Sequence, residues 1–181
     1  MKLTLVFIPF LLLYNFVSAQ NNEPVPHSTL ISFMDTLQTK DTMKVNNLSS
    51  SNGLADVFED TIRLFHDTLL TADDKRFIRK QLAFYRTKEW ADSDRIAGVS
   101  IIPQGVINSY AINGEVGWKK FIKKYGKGYK VVSFPLFTAN MSAAVVAITY
   151  HIGRYTEGSL HLYKKVKGIW KDAKVYSVWK G

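Results

Sequence analysis

Residues 128–179 read GYKVVSFPLFTANMSAAVVAITYHIGRYTEGSLHLYKKVKGIWKDAKVYSVW, and this stretch decides the fold. It contains four β-runs, Tyr129–Phe134, Ala143–Ile152, Ser159–Val166 and Ile169–Trp179, separated by turn-forming residues. In the second run Ala144, Val146, Ile148, Tyr150 and Ile152 share one face, and Ala143, Val145, Ala147, Thr149 and His151 share the other. Both faces are largely apolar, which places this strand at the centre of a sheet. Pro135 ends the first run, because proline cannot continue a central ladder. Lys167-Gly168 is a two-residue hairpin signal of the primed type. Short links between the runs predict an antiparallel meander.

Upstream lies the clearest helix, Glu115–Tyr125. Trp118, Phe121, Ile122 and Tyr125 make one apolar stripe, while Lys119, Lys120, Lys123 and Lys124 take the opposite face. Asn113 is its expected cap and Gly126 its left-handed stop. Residues 86–112 alternate loosely, with Pro103-Gln-Gly105 as punctuation, so Ile96–Ile102 and Val106–Ile112 fit two short edge strands or an ordered loop. A second helix starts at Thr71, a cap for Asp73 and Asp74 to follow. It carries Phe77, Ile78, Leu82 and Tyr85 on one face. Helical spacing also runs from Leu54 to Leu69, with a strand over Thr61–Phe65 as the alternative. The predicted fold class is therefore α+β: N-terminal helices and one Trp/Phe-anchored helix packed on a C-terminal antiparallel β-meander.

Three segments are expected. Residues 1–19 read as a secretory signal peptide: Met1-Lys2, an uncharged apolar run to Phe16, then Val17-Ser18-Ala19 as a small-residue cleavage site. Residues 20–53 have polar, turn-forming ends and read as a flexible polar segment, with one short helix face over Leu30–Leu37. Residues 54–181 read as a single α+β domain. The predicted location is periplasmic or extracellular. No membrane span is expected after signal removal, and no lipoprotein anchor, because the chain has no cysteine. The same lack excludes a thiol nucleophile and a Cys-ligated metal.

Composition is globular, with 46% hydrophobic and 22% charged residues. The charge is lopsided. Residues 20–114 hold ten Lys/Arg and twelve Asp/Glu, whereas residues 115–181 hold thirteen against three, a net of +10. In an exported chain such a basic half points to an anionic envelope or glycan surface, or to a protein partner, rather than to nucleic acid.

The C-terminal half also carries a recognisable pattern. Trp118-Lys-Lys-Phe121 and Tyr125-Gly126 are followed by Val132-Ser-Phe-Pro-Leu-Phe137, Ala143-Ala-Val-Val146, Leu160-His-Leu-Tyr-Lys-Lys165 and Gly168-Ile-Trp170, closing towards Trp179. This resembles a group of uncharacterised exported bacterial domains with a C-terminal Trp-marked antiparallel meander. The cover is about residues 60–179, strongest after Trp118. Many members of that group carry paired Cys-Gly units in the turn after the central strand. Here His151-Ile-Gly153 and Glu157-Gly158 stand in their place, so the resemblance implies no thiol role. It implies a scaffold and no established activity.

Few residues suggest chemistry. With a turn centred between Tyr155 and Glu157, His151 and His161 would face each other, with Thr149 and Tyr163 as diagonal neighbours. Two imidazoles are fewer than the three or four ligands zinc takes, so no metal and no cofactor is assigned. Adjacent His66 and Asp67 diverge on a helix and cannot form a relay. No nucleophile-elbow, P-loop or dinucleotide fingerprint occurs. Asp-Thr followed by Leu, Met or Ile recurs at residues 35–37, 41–43, 60–62 and 67–69, similar to an acceptor motif for periplasmic O-glycosylation. Trp170 and Trp179 are the aromatics expected to be exposed for sugar stacking. The leading expectation is a non-catalytic exported module whose binding residues are Lys119, Lys120, Lys123, Lys124, His151, His161 and Tyr163. The alternative is a small hydrolase on the sheet face around His151 and His161.

Overall fold

The computed structural model describes residues 23–40, 44–54 and 63–181. Among them, α-helices α1 (His27–Thr39), α2 (Ala72–Tyr85), α3 (Gln104–Ala111) and α4 (Gly114–Tyr125) accompany a mixed sheet of seven strands. The strands are β1 (Asn47–Ser49), β2 (Ser100–Ile102), β3 (Tyr129–Val132), β4 (Leu136–Phe137), β5 (Ala143–Ile152), β6 (Tyr155–Val166) and β7 (Ile169–Lys180). The order is β2-β1-β3-β5-β6-β7, with β4 also paired to β5. The α+β class and the antiparallel β5-β6-β7 meander are as the sequence predicts. β5 is central, as its two apolar faces require. Lys167 and Gly168 both have positive φ, 51° and 81°, as a primed hairpin turn demands.

The first β-run continues past its proline. Ser133 interrupts the ladder but keeps contact with β5: its N–H donates to the Ala147 carbonyl, and its hydroxyl accepts the Ala147 N–H, both at 2.9 Å. The chain then resumes as β4 against the same strand. Phe134, at the break, stacks between Tyr85 and Trp90, and the Trp90 indole donates to the Val132 carbonyl at 2.7 Å. Gln81, fully buried on α2, completes β4 by donating to the Phe137 carbonyl at 2.7 Å and accepting its N–H at 2.8 Å.

Residues 20–53 do not form the expected flexible segment over their described part. Phe33 of α1 is fully buried and meets Phe137, Tyr163 and Trp170 edge-on, at centroid distances of 5.6, 5.6 and 4.9 Å. β1 inserts between β2 and β3, parallel to both. One hydrophobic core thus runs from Val25 to Trp170, with members on both sides of residue 54. Trp170, expected to be exposed, is buried because it packs under α1.

Residues 86–112 contain one strand, not two. β2 is the short edge strand, while residues 106–111 belong to α3, whose first turn is closed by N–H donation from Val106 and Ile107 to the Pro103 carbonyl. Asn113 does not cap α4; its amide donates back to the Ser109 carbonyl near the end of α3. Gly117 packs where α3 and α4 meet, since a Cβ there would lie 1.8 Å from the Tyr110 carbonyl oxygen. The buried stripe is therefore Gly117 and Phe121 with Trp118 and Tyr125 beside them, and Ile122 is exposed. Thr71 caps α2 as expected, in a reciprocal box with Asp74. The segment that reads as a signal peptide lies outside the described residues, as do residues 55–62 of the helix expected from Leu54; residues 63–66 form a helical turn with Leu64 buried. Among the described residues no helix is long and apolar enough to cross a membrane.

Candidate functional site

The β5-β6 register sets the two histidines apart. The hairpin turns at Gly153-Arg154, so Ile152 pairs with Tyr155, His151 with Thr156 and His161 with Val146. Directly paired residues share a face, and the two histidines therefore sit on opposite faces of the sheet. The expected His151–His161 pair does not form. Thr149 stays with His151, and Tyr163 stays with His161.

On the His151 face the imidazole stacks on the Tyr129 ring at 4.6 Å, and its Nδ1 lies 3.3 Å from the Thr156 hydroxyl. Burial pushes the His151 pKa down, favouring the neutral ring. His151 and Thr149 border an open groove of about 320 Å³ with Asn52 and Gln104 on its other wall. Its polar groups are engaged with protein: the Asn52 amide donates to the Tyr85 and Lys88 carbonyls, and Gln104 spans Ser49 and Asn108.

On the other face three side chains form a chain of hydrogen bonds. Ser159 Oγ lies 2.6 Å from His161 Nε2, and His161 Nδ1 lies 2.7 Å from Asp172 Oδ2. Ser159 and His161 are two apart on β6, the spacing that puts both on one face. Asp172 comes from β7, where it pairs with Tyr163. Ionised Asp172 only accepts, so Nδ1 carries the proton and Nε2 is left to accept from the serine hydroxyl. The His161 side chain is 17% exposed and that of Asp172 45%, so the group opens to solvent on the carboxylate side. Val175 and Val178 on β7, paired with His161 and Ser159, stand exposed beside them. Tyr163, expected as a binding residue, is instead buried against Phe33; burial, and after it the Asp172 charge, pushes its pKa up to about 12.

The four lysines of α4, Lys119, Lys120, Lys123 and Lys124, are all exposed. Lys119 and Arg154 both reach Glu115, at 3.1 and 2.7 Å. Lys124 lies 4.9 Å above the Tyr125 ring. Beside the lysines, Ile112 is 86% exposed and Val116 62%. The structure thus leaves an apolar and basic surface at the α3–α4 corner, which charge alone foretells only in part.

Two of the four Asp-Thr tripeptides are described. Asp35 accepts the Ala97 N–H at 2.9 Å, and Asp67 accepts the Leu69 N–H at 2.7 Å and the Lys174 ammonium at 2.8 Å. Those at 41–43 and 60–62 lie outside the described residues. His27, half-exposed at the start of α1, contacts Asp94 at 3.0 Å. Among the described residues no cluster of three or more His, Asp or Glu side chains is assembled that could hold a metal ion. No family model, no curated protein and no solved structure matches the chain.

Proposed function

We propose that the protein is an exported module, periplasmic or extracellular, that docks on an anionic envelope surface through α4. The observation that carries this reading is the grouping of Lys119, Lys120, Lys123 and Lys124 with exposed Ile112 and Val116. Lysines beside apolar side chains match a surface that offers phosphate groups at its rim and hydrocarbon just beneath. The excess of thirteen Lys/Arg over three acids in residues 115–181 adds a longer-range attraction of the same sign. Binding of this kind needs no chemistry from the sheet.

Sedimentation with phosphatidylglycerol-containing vesicles, against purely zwitterionic ones, is the test. Each lysine near such a surface is worth about 1 kcal/mol, so Lys120→Ala with Lys123→Ala weakens binding roughly 30-fold at low salt. Raising the salt removes most of the attraction. Equal binding to both vesicle types, or binding indifferent to salt and to the double substitution, would sink the reading.

A further inference from the structure

We propose that Ser159, His161 and Asp172 form a nucleophilic triad on the β6–β7 surface that cleaves carboxylic esters with a short apolar acyl group. The inference is independent of docking through α4. It rests on the order of the contacts as well as on the residue types. The serine meets Nε2 and the carboxylate meets Nδ1, at 2.6 and 2.7 Å, which is the arrangement that turns a hydroxyl into a nucleophile.

The β-ladder imposes that order. A Ser-x-His pair on one strand places hydroxyl and imidazole side by side, and β7 supplies the carboxylate to the far nitrogen. The β6–β7 register is irregular just here, between Leu160 and His161 and between Leu162 and Tyr163. Such bulges re-aim side chains, and these two bracket His161. Two other groups face the imidazole: Tyr163, ring to ring at 5.7 Å, and Val175 across the strand pair. Tyr163 is held as the neutral phenol, since burial and Asp172 both raise its pKa. Exposed Val175 and Val178 offer an apolar seat for an acyl chain next to Ser159.

The step balances without a co-reactant. Ser159 Oγ forms a bond to the ester carbonyl carbon as its proton passes to His161 Nε2. The tetrahedral adduct expels the alcohol, which takes that proton from the imidazolium. Water then repeats the sequence, releasing the acid and restoring the serine. Asp172 acts through His161, as a positioning residue that fixes the tautomer and faces the imidazolium. The site opens to solvent, so water itself solvates the developing oxyanion. The acceleration then comes from the base-assisted serine, on the order of 10²–10⁴-fold.

The full chain is mixed with p-nitrophenyl butyrate, and nitrophenolate release and intact mass are followed together. The expected result is release above the buffer rate with one butyryl group carried transiently on Ser159. Ser159→Ala abolishes both, and His161→Ala slows acylation about 10²–10⁴-fold. Asp172→Asn, which can turn a donor to Nδ1, lowers the rate, and Asp172→Glu restores part of it. A structural role alone would not separate those two Asp172 variants. Ser109→Ala, on α3 and with its hydroxyl donating to the Val106 carbonyl of its own helix, leaves the rate unchanged. Near-ultraviolet circular dichroism confirms that each variant is folded. Release at the buffer rate from the folded wild type, or release that survives in folded Ser159→Ala, would overturn the triad.

Discussion

Asp67 shows how a single side chain is tied to the acid stability of the fold. Burial by itself raises its pKa, but hydrogen bonds from the Lys174 ammonium and the Leu69 N–H outweigh that and bring it to about 2. An unfolded aspartate titrates near 3.9, so the folded chain binds the proton less readily than the unfolded one. The resulting stability is present above about pH 4 and is lost as pH falls from there towards 2. Its size is about 2–3 kcal/mol, since a tenfold change in proton affinity is worth about 1.4 kcal/mol. Asp67→Asn is expected to lower stability at pH 7 and to flatten the loss between pH 4 and 2. Urea unfolding at a series of pH values measures both, and an acid limb as steep as in the wild type would refute the assignment. The pairing of residues is less legible than their chemistry. Six turn-forming residues, Gly153–Gly158, leave room for more than one hairpin centre. The turn at Gly153-Arg154 differs from one centred between Tyr155 and Glu157 by an odd register, and an odd register exchanges faces. That alone parts His151 from His161 and hides the partnership of His161 with Ser159 and Asp172. The Ser-x-His spacing on β6 is the available signal; the irregular β6–β7 register that brings in Asp172 leaves none.

Among the elements, α1 carries more of the fold than its setting in the sequence suggests. Its flanks are polar and rich in Asn, Ser and Pro, which reads as linker. Its buried side is only Leu30, Phe33 and Met34, too short a stripe to prove packing from periodicity. Tertiary contact settles the matter, because Phe33 fills the angle between Phe137, Tyr163 and Trp170. Phe33→Ala is therefore expected to destabilise the protein by about 3–5 kcal/mol. A loss below about 1 kcal/mol in chemical denaturation, within the range of exposed surface changes, would mean that α1 is only loosely attached. α3 misleads for the opposite reason. Val106, Ile107 and Tyr110 satisfy both a strand and a helical period over so few residues, and Pro103, which reads as a break, stands where a helix begins. α2 is legible because capping chemistry and apolar period agree there, Thr71 with Asp74 and Ile78 with Leu82 and Tyr85.

For the molecule as a whole, the strands β5 to β7 are readable from the chain, and the parallel addition of β1 and β2 is not. Local pattern cannot show that three residues, Asn47–Ser49, close a gap between β2 and β3. The consequence is a core shared between both halves. A chain lacking residues 20–53 is expected to show no cooperative thermal transition, because β3 and β2 lose the strand between them and Phe137, Tyr163 and Trp170 lose their cover. A sharp melt in the shortened chain would place a true boundary near residue 54.

The seat of α1 also imposes a timetable. Lys40, just past the end of that helix, hydrogen-bonds the Trp170 carbonyl, 130 positions further along the chain. At a synthesis rate of about 5–20 residues per second, α1 leaves the ribosome roughly ten seconds before its partners exist. Closing so long a loop is entropically slow, and until it closes the apolar side of α1 stays available to chaperones. For the export proposed above this delay is useful: a protein whose helix α1 cannot dock until β7 arrives is held in a threadable state by its own topology.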